Sequence, residues 1–327
     1  TLFNMKKILM YAAAAIMGAT FAGCSQVELK PTPITPLYSS LAKYPGMTAT
    51  QRDSFMRTDS TELLAMMQYL GKGPVDDATL MEFATSPAMK VFTPAVDSVF
   101  PKIRPIENTL GMILANAKTH GFDFPKRHYA AVVWGNYKSI VFTDSCMLLA
   151  LNHYLGADYA GYAAWPAYMR LDKTPKRMAY DIVEALVANE FPYVRTPEST
   201  VLSRIVYEGA ITLAKIKLVP NGTLSEALGY TTEQLEWLYN HESELWNALV
   251  GKNLLYSTSE DVAEKLVSPA PSTPLVSPYS PGRVGRYIGY CILVSYLENN
   301  STTSLPHLLT PEFYDNPSLL VESAYGG

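Results

Sequence analysis

Apolar residues recur along most of the chain at the three- and four-residue spacing of amphipathic helices. Between residues 47 and 70, Phe55, Leu63 and Met66 follow this spacing behind a possible cap at Thr48. The same pattern predicts further helices over residues 76–85, 89–100, 106–120, 235–249, 257–267 and 287–298, and a short turn or helix over residues 224–230. The body of the protein is therefore predicted to be mainly helical.

Three short apolar runs interrupt this helical pattern in the middle of the chain. They cover residues 129–135, 140–143 and 146–151, and turn-forming residues such as Gly135 and Asn136 lie between the first two. Closely spaced short strands commonly pair with their sequence neighbours, so the runs predict an antiparallel sheet or meander. The predicted fold class is α+β, mainly α, with a small antiparallel sheet.

The stretch 177–220 contains two helical patterns joined by a short turn with a proline, residues 191–199. Each pattern carries one carboxylate on a side that is otherwise apolar, Glu184 in the first and Glu208 in the second. These two residues are the candidates for chemistry, because an acidic group among apolar neighbours needs either a partner or a function.

The N-terminal 23 residues have the three parts of a secretory signal peptide. Lys6 and Lys7 precede the apolar run 8–17, and small residues follow up to Cys24. The sequence Phe-Ala-Gly-Cys ending at Cys24 resembles the bacterial lipobox, whose cysteine becomes the first mature residue and carries lipid. An ordinary signal peptide with a chance cysteine is the alternative. No second apolar run approaches ~20 residues, so the lipid on Cys24 is the only predicted membrane anchor.

The segment after Cys24 is predicted to be a tether. Residues 24–46 contain Pro31 and Pro33, and proline disfavours a helix and stiffens an extended chain. Residues 47–327 are then predicted to form a single domain.

The net negative charge of the chain argues against one class of partner, the nucleic acids. The chain has 327 residues with a formal net charge of −4, and removal of residues 1–23 takes away two lysines and no acid, which gives −6. Nucleic-acid binding rests on phosphate neutralisation by Lys and Arg, so no nucleic-acid partner is expected. Cys146 and Cys291 lie in apolar runs and are read as buried thiols, with a disulfide between them left open.

A zinc-protease template can be laid over the first of the two central helices. Such a site uses His-Glu-x-x-His, in which two imidazoles one turn apart hold the metal and the Glu activates water. Glu184 occupies the Glu position, but both imidazole positions are valine, Val183 and Val187. Glu208 in Glu-Gly-Ala lies where a third ligand from a later helix would be. Without nitrogen or sulfur donors the frame is a poor zinc site, and we expect no metal and no cofactor.

The five histidines of the chain do not supply the missing zinc ligands, since no two of them lie four positions apart. They are His120, His128, His153, His241 and His307. Catalytic residues are therefore not predicted, with Glu184 and Glu208 only vestigial candidates. We expect Glu184 to pair with Arg177, Arg204 or Lys215, and Glu208 to meet a backbone N–H or a tyrosine hydroxyl.

Two weaker possibilities come from other residues. Cys146 could pair with His153 as nucleophile and base, although the two are not adjacent in sequence. The aromatic loop 159–168 contains Tyr159, Tyr162, Trp165 and Tyr168; such clusters can bind sugars or peptides but more often cap a core.

Five stretches together resemble one family. They are residues 149–156 (LALNHYLG), 205–210 (IVYEGA), 229–237 (GYTTEQLEW), 254–257 (LLYS) and 281–289 (PGRVGRYIG). In this order and spacing they resemble the gliding-motility lipoprotein GldB family of Bacteroidota, from about Thr61 to the end of the chain. Asn152 departs from the acidic residue expected there, and Ala210-Ile211 from an expected Gly-Lys pair.

The resemblance implies a cell-envelope lipoprotein whose family is related to predicted zinc proteases of the Glu-zincin kind, and hence a zincin-like helical body. Combined with the missing imidazoles, it favours a non-catalytic protein that binds an unknown envelope protein and is held at the membrane by the lipid on Cys24. We expect an outer-membrane location facing the periplasm rather than the cell surface. The alternatives are a peptidase-like hydrolase using Glu184 and Glu208, and a glycan-binding lipoprotein using the loop 159–168.

Overall fold

The computed structural model describes residues 30–327. The described chain divides into two compact units, one made of residues 30–114 and 124–185 and the other of residues 115–123 and 186–327. Two helices, Arg104–Thr119 and Met178–Glu190, pass from one unit to the other along the chain. A single domain over residues 47–327 stays a prediction. Cys24 and the signal peptide 1–23 lie outside the described residues.

The first unit is helical with one small sheet. Its helices are α1 (Leu37–Lys43), α2 (Ala49–Thr58), α3 (Ser60–Tyr69), α4 (Asp77–Ala84), α5 (Pro87–Val99), the first part of α6 (Arg104–Thr119), α7 (Ala167–Arg170) and the first part of α8 (Met178–Glu190). Its strands are β1 (His128–Val132), β2 (Ile140–Phe142) and β3 (Cys146–Ala150). The mainly helical α+β class predicted from the sequence is confirmed.

The sheet is mixed rather than antiparallel, so that part of the prediction is wrong. The strand order is β1-β3-β2: β3 pairs parallel with β1 and antiparallel with β2. All five residues of β3 are buried, whereas the three residues of β2 are half-buried. A continuous apolar strand is most stable with neighbours on both sides. The chain therefore leaves β1, runs out to β2 at the edge, and returns through β3 between them.

The extended tether predicted over residues 24–46 also differs from what the described part of that segment forms. Thr35 bridges Ala130 next to β1, and the backbone of Thr32 donates to the carbonyl of Glu107 at 3.0 Å. Leu37 and Leu41 of α1 are fully buried. The prolines precede this helix instead of preventing it, because Pro36 stands just before the first turn, where a missing N–H costs nothing. The body therefore begins within about seven residues of Cys24.

The regular elements described in the second unit are all helices, and one isolated bridge joins Thr273 and Ser277. It holds the end of α6, the end of α8, and then α9 (Val201–Leu218), α10 (Leu224–Leu228), α11 (Thr232–Gly251), α12 (Glu260–Val267), α13 (Val284–Asn299), α14 (Pro311–Tyr314) and α15 (Leu319–Ser323). Helix α11 begins three residues before the predicted range 235–249, at a reciprocal capping box formed by the Thr231 hydroxyl and the Gln234 side chain. Short 3₁₀ turns occur at Tyr44–Gly46, Leu151–His153, Ala160–Tyr162 and His307–Leu309.

Helices α9 and α13 cross at two glycines. A Cβ at Gly289 would overlap the carbonyl oxygen of Ile205, and a Cβ at Gly209 would overlap the backbone of Gly289. The two helices are therefore in close contact, and this contact depends on backbone touching backbone. This crossing fixes the position of Glu208, which neighbours Gly209 on α9.

Between residues 30 and 327 there is no helix long and apolar enough to cross a membrane. Cys146 and Cys291 are both buried free thiols, so the reading of them as small apolar residues is confirmed.

Candidate functional site

Glu184 lies on α8, in a row of charged residues that follow one helix face. Arg177 is 7% exposed, and its Nε donates to Asp181 Oδ1 at 3.0 Å. Its Nη2 lies 4.0 Å from Glu184 Oε2, and its Nε lies 3.6 Å from Asp172 Oδ1. The expected pairing of Glu184 with Arg177 is confirmed. Three carboxylates thus surround one buried guanidinium, and Glu184, with a side chain 29% exposed, is the most distant of them.

A cluster of complementary polar groups continues from this row toward the sheet. Tyr154 donates its hydroxyl proton to Asp181 Oδ2 at 3.1 Å and is also hydrogen-bonded to Ser139. Ser139 Oγ lies 3.0 Å from His153 Nδ1 and accepts from Lys173 Nζ at 3.2 Å. We call Ser139, His153 and Lys173 the Ser139 cluster. All of these residues belong to the unit that carries the sheet.

The backbone holds the members of the cluster in place. Ser139 immediately precedes β2, and its carbonyl accepts from the N–H of Ala150 at 2.8 Å. His153 lies in the 3₁₀ turn directly after β3, and the carbonyl of Lys173 accepts from the N–H of Gly156 at 2.8 Å. The antiparallel pairing of β2 with β3 therefore brings Ser139 and His153 together, although fourteen positions separate them in sequence.

The protonation state of His153 follows from its surroundings. Burial, aided by the nearby Lys173 charge, lowers the pKa of His153 to about 4, so the ring is neutral at pH 7. Its Nε2 lies 2.8 Å from the carbonyl oxygen of Asn136, which can only accept, and so Nε2 carries the proton. Nδ1 is then an acceptor, and the Ser139 hydroxyl can donate its one proton either to Nδ1 or to the Tyr154 oxygen. Burial also lowers the pKa of Lys173.

Glu208, the second candidate carboxylate, lies in the second unit and is 5% exposed. Arg204 Nη2 lies 2.9 Å from Oε1, and Arg286 Nη2 lies 3.2 Å from Oε2. Arg286 comes from α13, and its Nε also donates to the carbonyl of Val267 at the end of α12. The N–H or tyrosine hydroxyl expected for Glu208 is thus replaced by two guanidiniums, and Arg204, named as a possible partner of Glu184, serves Glu208. The carboxylate ties α9 to α13.

A groove of about 530 Å³ opens beside Arg204 in the second unit. Tyr193 lies under the Arg204 guanidinium, 5.0 Å from ring centroid to carbon, and Arg195 forms an ion pair with Glu260 at the mouth. The turn 191–199 forms one wall and the start of α12 the other. Thr196 and Ser199 both donate to Asp315 Oδ2, at 2.8 and 3.0 Å, so the turn is held firmly.

The zinc-protease template has no donors at its imidazole positions in the folded protein. Val183 and Val187 are fully buried. Among residues 30–327 no group of three or more His, Cys, Asp and Glu side chains could hold a metal ion. Glu184 and Glu208 fall in different compact units, and each faces an arginine.

The pairing of Cys146 with His153 is wrong as a nucleophile and base. His153 directs its two ring nitrogens to Ser139 and Asn136. Burial, reinforced by the Glu62 charge, raises the pKa of Cys146 to about 12, which keeps it a thiol.

The aromatic loop 159–168 mostly packs against itself. Tyr162 is buried, donates to the carbonyl of Asn152 at 2.5 Å and stacks on Trp165 at 5.2 Å between centroids. Lys173 Nζ lies 5.1 Å from the centroid of the Trp165 ring. These contacts fit the core-capping role that the sequence favoured for the loop.

Asn152 stands where an acidic residue is expected from the sequence. Its amide oxygen accepts from the N–H of Trp134 at 3.3 Å, and its amide nitrogen donates to the carbonyl of Trp134 at 2.9 Å. An ionised carboxylate could not make the second bond. An amide is therefore the side chain that satisfies both backbone groups here.

Sequence reasoning missed Ser139 and Lys173. Serine and lysine are common surface residues, and neither belongs to a motif with a known spacing. The only available signal was His153 itself, a histidine two positions after an apolar strand, whose partner could be found only after the strand order was known.

Comparison with known proteins gives one result. A model of the family described as "Gliding motility protein GldB" matches residues 31–327, which is most of the chain. No curated protein and no solved structure matches it. The family is one of lipoproteins related to gliding motility, which indicates an envelope protein anchored at a membrane. Since the match extends over both compact units, the chain belongs to the GldB family of gliding motility proteins.

Proposed function

We propose that this protein is a lipid-anchored component of the cell envelope that works by binding a protein partner, in an assembly related to motility or secretion. Lipid on Cys24 anchors it in the outer membrane, with the body on the periplasmic side. In this proposal the zincin-like frame implied by the family is degenerate, and Glu184 and Glu208 are not catalytic.

The state of the two carboxylates is the observation that carries the proposal. A base that activates water needs a lone pair facing solvent or a metal. Glu208 instead has both oxygens on arginines, and Glu184 faces Arg177. Buried Val183 and Val187 supply no ligand for zinc. Such groups hold helices together, and this supports a binding role rather than a catalytic one for the two carboxylate-bearing helices.

The groove beside Arg204 is the surface that we assign to the partner. Its lining includes the hydroxyl groups of Thr200 and Ser259, and it carries both signs of charge through Arg195 and Glu260. A polypeptide segment offers the backbone N–H and C=O groups and mixed charges that complement such a lining.

Photo-crosslinking in the native envelope tests the partner. A photoreactive residue is placed at Glu260, whose side chain is 76% exposed, and in a second strain at Val321, which is 83% exposed in the same unit. We expect a discrete protein adduct from position 260 and not from position 321. Identical products from both positions, or none from position 260, would overturn the assignment. Stoichiometric zinc in the purified protein would overturn the non-catalytic reading of the frame.

The anchor is tested separately with Cys24→Ala. We expect this variant to leave the membrane fraction and appear in the soluble fraction, because lipid cannot be attached. Retention of the variant in the membranes would contradict the lipoprotein assignment.

A further inference from the structure

The Ser139 cluster combines three features of an activated hydroxyl. The serine oxygen faces an unprotonated imidazole nitrogen, His153 Nδ1, at 3.0 Å. The other ring nitrogen is fixed by an acceptor, the Asn136 carbonyl, at 2.8 Å. An ammonium, Lys173 Nζ, lies 3.2 Å from the same serine oxygen. Nucleophile, base and orienting group are thus within hydrogen-bond reach of one another.

We propose that Ser139 is a nucleophile for acyl transfer from carboxylic esters or amides, with His153 as its base and Lys173 as the cation beside the reacting atoms. The inference goes beyond the proposed function, and the crosslinking experiments neither support nor weaken it. It also uses none of the zinc-protease frame, since Glu184 and Glu208 take no part.

The reaction can be written with these groups alone. Ser139 Oγ attacks the carbonyl carbon of the acyl donor as its proton passes to His153 Nδ1, giving a tetrahedral oxyanion. The ammonium of Lys173, next to Oγ, stabilises the developing negative charge. The C–O or C–N bond to the leaving group breaks, and the leaving group takes the proton from His153. Water then attacks the acyl-serine by the same route, releasing the carboxylic acid and restoring the serine.

The Asn136 carbonyl occupies the position that a carboxylate holds in many serine hydrolases. It fixes the ring through Nε2–H and favours the tautomer with a free Nδ1. A neutral carbonyl stabilises the imidazolium less than a carboxylate does, which predicts a slow enzyme.

Two members of the cluster face solvent in part. Ser139 and Lys173 are half-buried, His153 behind them is 3% exposed, and the loop that precedes Ser139 is exposed, with Tyr137 at 76%. β2, which begins one residue after Ser139, is an edge strand, and the only strand paired with it in the described sheet is β3. If the Ser139 hydroxyl served only as a hydrogen-bond partner of the buried His153, it would need neither partial exposure to solvent nor the partly buried Lys173 beside it.

Covalent labelling with a fluorophosphonate probe tests the nucleophile. The probe forms a phosphonate ester with an activated serine oxygen and releases fluoride, so labelling requires no knowledge of the substrate. The folded full chain is incubated with probe, and the adduct is located by mass spectrometry. We expect modification at Ser139, loss of the adduct in Ser139→Ala, and labelling about 100-fold slower in His153→Asn.

Ser145→Ala is the matched control, because Ser145 is exposed in the turn between β2 and β3 and lies outside the cluster. Its labelling rate at Ser139 should equal that of the wild type. A folded wild type with no adduct at Ser139 would overturn the proposal. So would equal rates in the wild type and His153→Asn.

If Ser139→Ala does not fold, Ser139→Cys gives a second measurement. Iodoacetamide should alkylate the introduced thiol rapidly in Ser139→Cys and far more slowly in the double variant with His153→Asn. Equal alkylation rates would contradict a base at His153.

Discussion

Two carboxylates that look alike in the sequence, Glu184 and Glu208, have different surroundings in the folded chain. Each lies on a helix from the stretch 177–220, and each meets an arginine. Glu208 is 5% exposed and is shared by two guanidiniums where α9 crosses α13. Glu184 is partly exposed and is the outermost of three carboxylates around Arg177.

Glu208 therefore ties two helices together, whereas Glu184 lies at the edge of a polar cluster. Around Glu208 the contacts join helices at a crossing where glycines leave no free space. Around Glu184 the network runs through Asp181 and Tyr154 to a half-buried serine and lysine and to the buried imidazole of His153. Rigid helix crossings give stability, whereas partly exposed clusters of titratable groups are where chemistry is usually found. The predictions that follow test this contrast.

Removal of the Glu208 carboxylate should have the largest effect. Glu208→Ala takes away the acceptor that Arg204 and Arg286 share, and it leaves Arg286, whose side chain is 13% exposed, without this counter-charge in a buried site. Breaking a buried ion pair from one side costs about 3–5 kcal/mol. We expect the free energy of unfolding, measured by urea denaturation, to fall by that amount. A loss below about 1 kcal/mol would show that this site behaves like a surface pair.

The glycine crossing should rank next. Gly289→Ala places a methyl group against the carbonyl of Ile205, a backbone atom that cannot turn aside. Overpacking of this kind costs about 1–3 kcal/mol, and contact with the backbone favours the upper end. The matched control is Gly46→Ala, where a Cβ meets nothing within 4 Å. Thermal unfolding should show a large fall in melting temperature for the first variant and little change for the second.

His153 should make stability depend on pH. Its folded-state pKa is lowered to about 4, below the ordinary value of 6.5, so between these values the unfolded chain binds a proton that the folded chain refuses. The stabilisation is therefore complete above pH 6.5 and is lost as the pH falls toward 4. At pH 4.5 the loss is about 2–3 kcal/mol relative to pH 8.

The measurement compares wild type and His153→Asn by urea denaturation at several pH values. The difference between their unfolding free energies should shrink on acidification, because the variant has no imidazole to protonate. Ser145→Ala should keep the wild-type dependence. A constant difference from pH 8 to pH 4.5 would contradict a buried neutral imidazole.

The helices could be predicted from the sequence because helical periodicity depends on residues that are close together along the chain. It predicted a helix over residues 287–298, which corresponds to α13, and it named Arg177, seven positions before Glu184, among three candidate partners of that carboxylate. It failed on the sheet, because strand order depends on which strand gains most from burial on both sides. The Ser139 cluster was out of reach for the same reason: only the pairing of β2 with β3 joins Ser139 to His153.

Glu184→Gln should have the smallest effect and thereby complete the contrast with Glu208. Arg177 keeps Asp181 at 3.0 Å and Asp172 at 3.6 Å, so no guanidinium loses its counter-charge. The 4.0 Å contact of a partly exposed side chain is worth less than about 1 kcal/mol. We expect an unfolding free energy within about 1 kcal/mol of the wild type and unchanged fluorophosphonate labelling at Ser139. If Glu184→Gln lowered the free energy of unfolding as much as Glu208→Ala, Glu184 would also hold helices together, and the distinction between the two carboxylates would fail.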